Sequence, residues 1–321
     1  MSVDPYTKFK SVTDFNETLL TENIEDNLKH YLRWSLLNIG CWQDVNIPQS
    51  GIDGGDFSLL TPVIDNSYDD YRVYETPKLD IVYESGIDFN GLSPIEISGV
   101  WINDDLYGPD FDISHPYFID YENGRIIFDD PLADTDVVKL NYSYRTISVQ
   151  MVEESPMWKQ IQYGSLRVED PHVLDRDKGD WAAIPSIRRQ QLPAIFIEAI
   201  PVGSNKPWEL GAGGHLVYRD ILLHVVAENR RLRNRIMDIL ASEEEHTLWI
   251  WDSNNISIAD WPLDYRGMKN SGGLMYPELI NKYKWLRTFI LKTYISDIES
   301  RNPNLHEATV RIKTETIFGK K

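Results

Sequence analysis

Cysteine is almost missing from this chain: Cys41 is the single one among 321 residues. One thiol can build neither an internal disulfide framework nor a cysteine-rich metal site. Cys41 follows a glycine that closes a helical stretch and has no base assigned to it, so it reads as a small buried thiol rather than a nucleophile. The seven histidines, at 30, 115, 172, 215, 224, 246 and 306, are scattered. None pairs at the i, i+4 spacing that puts two ligands on one helix face, which argues against zinc. No G-x-S-x-G elbow is present. The glycine-rich "ELGAGGH" at 209–215 precedes a strand rather than a helix and lacks a Lys-Ser/Thr ending, so it reads as a turn and not as a phosphate cradle. No apolar run approaches the roughly 18 residues of a membrane span. "MSVDPYTKFK" has no apolar signal-like core, so folding in a cytoplasm is expected. No cofactor, metal or catalytic residue is expected from these patterns.

Basic charge is scarce as well, and unevenly so. The net charge is −18. Residues 1–150 hold 27 acidic and 9 basic side chains, and residues 151–321 hold 23 of each, so the whole imbalance lies in the first half. Such a field repels phosphate backbones and argues against a large basic surface for nucleic acid. It leaves solubility, a basic partner or hard cations. The acidic runs "DGGDFS", "DNSYDDY" and "NDDLYGPDFD" offer oxygen atoms to calcium, but none has the spacing of a twelve-residue calcium loop, and turn chemistry accounts for them.

What is present is regular. Asp14 and Glu17 resemble a capping box, and Leu20, Ile24, Leu28, Leu32 and Leu36 recur every four residues until Gly40. Residues 1–45 therefore predict a helical segment. Residues 46–78, rich in Gly, Asp, Ser and Pro, predict an extended acidic loop or arm. Residues 79–150 predict a small β-sandwich-like module. Its end, "GRIIFDDPLADTDVVKLNYSY", predicts a hairpin-like strand pair whose second strand turns Val138, Leu140, Tyr142 and Tyr144 to one face. Residues 151–321 predict an α+β domain, with strands near 191–200, 216–227, 247–251, 285–297 and 308–318 and an amphipathic helix in "ENRRLRNRIMDIL". The expected fold class is α+β, with a helix packed on a mainly antiparallel sheet.

Two features point to contact surfaces. Arg230, Arg231, Arg233 and Arg235 spread over the helix side opposite Leu232, Ile236 and Ile239, either as a solvated face or as a guanidinium contact for acidic surface. Trp208 in "KPWEL" and Trp249 and Trp251 in "WIWD" are candidate subunit-interface anchors, with core packing the alternative for one of the alternating pair.

The strand–turn–strand "GRIIF", "DDPLADTD", "VKLNYSY" resembles β modules of tailed-bacteriophage virion proteins. The stretch "QLPAIFIEAIPVGSNKPWELGAGGHLVYRDILLHVVAENRRLRNRIMDIL" is similar to the core of neck and tail-completion proteins of the tail-terminator type in contractile-tailed phages. That resemblance covers about two thirds of the chain and implies a non-enzymatic structural protein, assembled in the host bacterial cytoplasm and located in the virion. It would form a hexameric or dodecameric ring that ends growth of the tail tube and sheath and meets the head connector, with DNA only passing through the lumen and no membrane partner. A minimal terminator lacks the N-terminal helix and acidic module seen here. That departure keeps a baseplate or tail-fibre adaptor open. From another class, acidic loops and aromatics leave a carbohydrate-binding or calcium-dependent glycan-hydrolysing protein open.

Overall fold

The computed structural model describes residues 14–47, 57–63, 67–108, 115–155, 191–207, 214–298 and 305–318. Helix α1 runs Leu20–Asn38. It starts later than the Asp14/Glu17 pair suggests, because Asp14 spends its carboxylate on the Asn16 N–H at 2.9 Å in a turn, while Glu22 accepts the Leu19 N–H at 2.7 Å. Gly40, at φ +81°, ends it, with the Gly40 and Cys41 N–H groups returning to the Leu37 and Leu36 carbonyls. No helix among the described residues is long and apolar enough to cross a membrane.

The β module contains β1 (Trp42–Val45), β2 (Thr61–Pro62), β3 (Val73–Glu75), β4 (Val100–Ile102), β5 (Asp105–Tyr107), β6 (Tyr117–Asp120), β7 (Arg125–Phe128), β8 (Val138–Leu140) and β9 (Tyr142–Arg145). They form sheets ordered β2-β3-β7-β6 and β5-β4-β8 and the pair β1-β9. Tyr74, Ile81, Val100, Ile126, Phe128, Val138, Leu140 and Tyr142 share one core between them.

Two expectations are corrected here. The segments 125–128 and 138–144 are strands but not partners: β7 pairs with β3 and β6, β8 with β4, and β9 with β1. Alternation fixes which side of a strand is buried and says nothing of its neighbour. Nor is 46–78 an arm in its described part. Its β2 and β3 lie in the module sheet, Leu60, Val63, Val73 and Tyr74 are buried, and the Leu60 N–H donates to the Val138 carbonyl at 2.9 Å.

The larger sheet comprises β10 (Ser148–Met151), β11 (Ala194–Pro207), β12 (His215–Ala227), β13 (Thr247–Trp251), β14 (Lys284–Asp297) and β15 (His306–Phe318), with helices α2 (Arg230–Ala241) and α3 (Tyr276–Tyr283). Its order is β10-β11-β12-β15-β14-β13, and only the β10–β11 pair is parallel. Residues 148–150, assigned by sequence to the β module, belong to β10 at the edge of this sheet. The fold is thus the expected α+β mix.

Helix α1 belongs to the same core. Ile24, Leu28, Leu32 and Leu36 pack with Ile236, Met237 and Leu240 of α2 on Ile195, Ile221, Leu223, Ile250, Ile290 and Val310. Asparagines attach the helix to edge strand β13. The Asn27 amide donates to the Trp251 carbonyl at 3.2 Å and accepts its N–H at 3.0 Å, reproducing a strand partner's two bonds. Asn23 accepts the Ser253 N–H at 2.8 Å, and Thr18 and Asn254 bond each other reciprocally.

The module and the large sheet meet at buried charge. Arg33 of α1 and Arg145 of β9 both bond Asp80 Oδ1, at 2.8 and 3.2 Å, and Arg145 also pairs with Glu84. Both guanidiniums lie over the Tyr83 ring, with centroid distances of 5.8 and 5.3 Å. Burial would lower the Arg33 pKa, but Asp80 and its neighbours outweigh it and hold the group above the ordinary range. Gln191 completes the joint, accepting the Leu79 N–H and donating to the Arg145 carbonyl. On the far side, the Tyr121 N–H donates to the Gly267 carbonyl at 3.0 Å; Gly267 sits at φ +80°, and a Cβ there would lie 2.4 Å from Asp120 Oδ1.

Removing one partner from a buried ion cluster strands the rest, which typically costs about 3–5 kcal/mol. Asp80 has φ +59°, a conformation asparagine tolerates, so Asp80→Asn isolates the charge effect. Urea denaturation is expected to show a loss of about 3 kcal/mol or more. A loss under about 1 kcal/mol, in the range of an exposed pair, would show that the joint does not depend on this carboxylate.

Candidate interaction surfaces

Alternation in the long strands gives the large sheet two unlike faces. Both α1 and α2 cover the face carrying Leu248, Ile250, Ile290, Val310 and Ile312. The residues between these point the other way. The strand registers place Thr247, Phe289, Glu315 and Tyr218 in one cross-strand row, Lys292, Lys313 and Asp220 in the next, and Tyr294, Arg311 and Leu222 in the third. Directly opposed side chains share a face, so these rows form one surface. Leu305, Val152 and Leu192 cover its Phe196 and Val226 end. Arg287, Lys292, Tyr294, Arg311 and Lys313 are exposed.

Cations lie over aromatic rings across this face. Lys284 Nζ is 3.4 Å and the Arg287 guanidinium carbon 4.6 Å from the Trp249 ring centre. Lys292 lies 5.1 Å from Tyr294, and Lys206 and Lys313 lie 5.3 and 5.7 Å from Tyr218. Such contacts contribute about 0.5–1 kcal/mol each at exposed sites and hold the ammonium and guanidinium groups in place. Three carboxylates interrupt the cations. Glu198 reaches His224 Nε2 at 2.7 Å, Asp220 pairs with Arg311, and Glu315 faces Tyr218. Burial lowers the His224 pKa against the pull of Glu198. The balance is cationic in a chain of net charge −18.

The sequence-predicted interface residues separate. Trp249 stands on this face. Trp251 does not: it is fully buried, with ring centres of His30, Tyr276 and Trp261 5.3, 5.7 and 6.0 Å away. Arg230, Arg231 and Arg235 are exposed on the outer side of α2, on the opposite side of the sheet. Arg233 is internal, bonding Asp297 at 2.6 Å and the Glu307 carbonyl at 2.8 Å, because it shares the i, i+3, i+4, i+7 stripe of Ile236, Met237 and Leu240. It ties the end of β14 to the start of β15 and is no interface residue. Trp208 lies outside the described residues. Lys284, Arg287, Lys292 and Lys313 were missed, although "RIKTETIF" alternates charged and apolar residues and β14 opens with Lys284 and Arg287.

The module presents the opposite sign. Asp69, Asp104, Asp105, Asp129, Asp130 and Asp134 are exposed. Among the described residues no group of three His, Cys, Asp or Glu side chains is placed to hold a metal. A separate titratable spot lies under β11, where Glu25 of α1 accepts the Ala199 N–H at 2.5 Å beside a register shift between Ile200 and Gly203. Burial, with Glu153, Asp26 and Glu22 adding to it, raises its pKa from 4.5 to about 7 against the Ala199 bond. No family model matches the chain, and no curated protein matches it.

Two outcomes are expected. Trp251→Ala should cost about 3–5 kcal/mol in chemical denaturation, as for a large core side chain. Trp249→Ala should cost about 1 kcal/mol, and comparable losses for the two would contradict the surface assignment. Because the Glu25 carboxyl binds its proton more tightly in the folded state, stability should fall as pH rises from 4.5 to about 7. Glu25→Gln, which keeps an acceptor for Ala199, should flatten that slope in melting curves; an unchanged slope would assign the titration elsewhere.

Proposed function

We propose that the chain is a non-enzymatic structural subunit of a tailed-phage virion, forming a ring with copies of itself at the neck or tail terminus. There it ends growth of the tail tube and sheath and joins the tail to the head connector, with DNA only passing through the lumen. The observation that carries this reading is the presence of two unlike surfaces on one chain: a cationic, aromatic sheet face and an acidic β module. A closed ring repeats one heterologous contact, so every subunit must carry both halves of it. The strand–turn–strand texture of residues 124–144 and the α+β order of residues 191–240 support placing that ring in a virion.

A second reading, a glycan-binding protein, rests on one cleft. It measures about 340 Å³ and is lined by Tyr83, Phe118, Tyr121, Glu84 and Glu96 of the module and Lys269 of the facing loop. Rings beside carboxylates suit sugar faces and hydroxyls.

Mass photometry at low salt separates the two. The ring reading expects discrete particles of about six or twelve subunits that fall apart as salt rises. A chain that stays monomeric, and melts higher when oligosaccharides are added, would replace it with the glycan reading.

A further inference from the structure

We propose that the outward face of the three-stranded sheet β5-β4-β8 in one copy docks on the cationic, aromatic face of the large sheet in the next copy. The inference rests on the reading that the chain assembles with itself, and it names the contact.

The donor surface follows from register. Leu106, Trp101, Lys139 and Leu59 lie directly opposite one another across β5, β4, β8 and the bridge beyond it. They therefore share a face. Their neighbours Val100, Ile102, Val138 and Leu140 are buried in the module core, so this row points outward. Leu106 and Leu59 are 47% and 39% exposed, and Val137 beside them is 43% exposed, which makes an apolar strip rather than scattered single residues. Carboxylates rim it. Asn103 holds the β4–β5 turn to the 133–137 turn, donating to Asp136 at 2.7 Å and accepting the Val137 N–H at 3.0 Å. That link sets Asp104 beside Asp134 and Asp136. The one cation in the row, Lys139, is held by Asp104 at 2.9 Å.

The acceptor surface is its complement in both respects. Trp249, Phe289 and Tyr218 supply apolar area, and Lys284, Arg287 and Lys313 supply charge fixed over those rings. Two sheets stack face to face about 10 Å apart, which brings the aliphatic row onto the aromatic one and the aspartates onto the cations. The minority charges match too, since Lys139 stands among carboxylates and Glu315 among cations. Single-stranded nucleic acid also uses cations with aromatic rings. The carboxylates Glu198, Asp220 and Glu315 in the same face oppose a phosphate backbone and suit a protein surface of mixed sign.

The test is a charge exchange on exposed strand and turn positions, followed by sedimentation velocity at low salt. Lys284→Glu with Arg287→Glu should raise the concentration for half-assembly at least about tenfold, and Asp104→Asn with Asp134→Lys should do the same. All four substitutions in one chain should restore assembly, which no folding defect would do. If the unaltered chain assembles and both pairs leave it unchanged, the self-assembly reading stands and this contact is overturned. A strictly monomeric unaltered chain overturns both. Binding of a mixed-sequence DNA oligonucleotide by the monomer, abolished by Lys284→Glu with Arg287→Glu, would make nucleic acid the occupant and also overturn it.

Discussion

Two guanidinium groups sharing one carboxylate inside the protein set the geometry of everything else. Arg33 and Arg145 converge on Asp80 from a helix and a strand 112 positions apart, with Glu84 and Tyr83 closing the cage. Burying that much charge is unfavourable unless each group is met in good geometry, so the arrangement tolerates little displacement. Because Arg33 sits on the helix whose leucines fill the core of the large sheet, the module cannot tilt without disturbing that core. The cluster works as a rigid bracket. It also bears on charge: with its orientation fixed, the acidic module is not free to fold back over the cationic face of its own chain.

How far the sequence could be read depended on the range of the physics involved. The fourfold spacing of Leu28, Leu32 and Leu36 announced α1, a branched and aromatic run announced β7, and alternation announced β8 and β9, because all are local consequences of backbone geometry and side-chain shape. Strand partners were hidden. "GRIIF" and "VKLNYSY" look like two arms of one hairpin, yet β7 lies between β3 and β6. The β2 and β3 strands were hidden for a related reason: two- and three-residue strands are too short to show a period, and only pairing with β7 reveals them.

The candidate surface was legible only in part. Trp249 and Trp251 are two positions apart and would share a face in a regular strand; the register shift between Ile250 and Trp251, which no local pattern announces, separates them. The answer came from the asparagines and aromatic rings that enclose Trp251. Arg233 looked like its three neighbours and differs because its stem shares the buried stripe of α2 while its head reaches Asp297, 64 positions away. The cations of β14 and β15 become a surface only once the register places Lys292 beside Lys313 and Tyr218 beside Glu315.

The attachment of Asn27 to Trp251 has a further consequence. A strand at the rim of a sheet presents free backbone donors and acceptors, and two such rims readily fuse into amyloid-like or swapped aggregates. Here a side-chain amide from α1 occupies both groups of the last residue of β13, and Asn23 takes the donor of Ser253 just beyond. The chain thereby caps its own rim at that end, a safeguard against irreversible edge-to-edge stacking between copies.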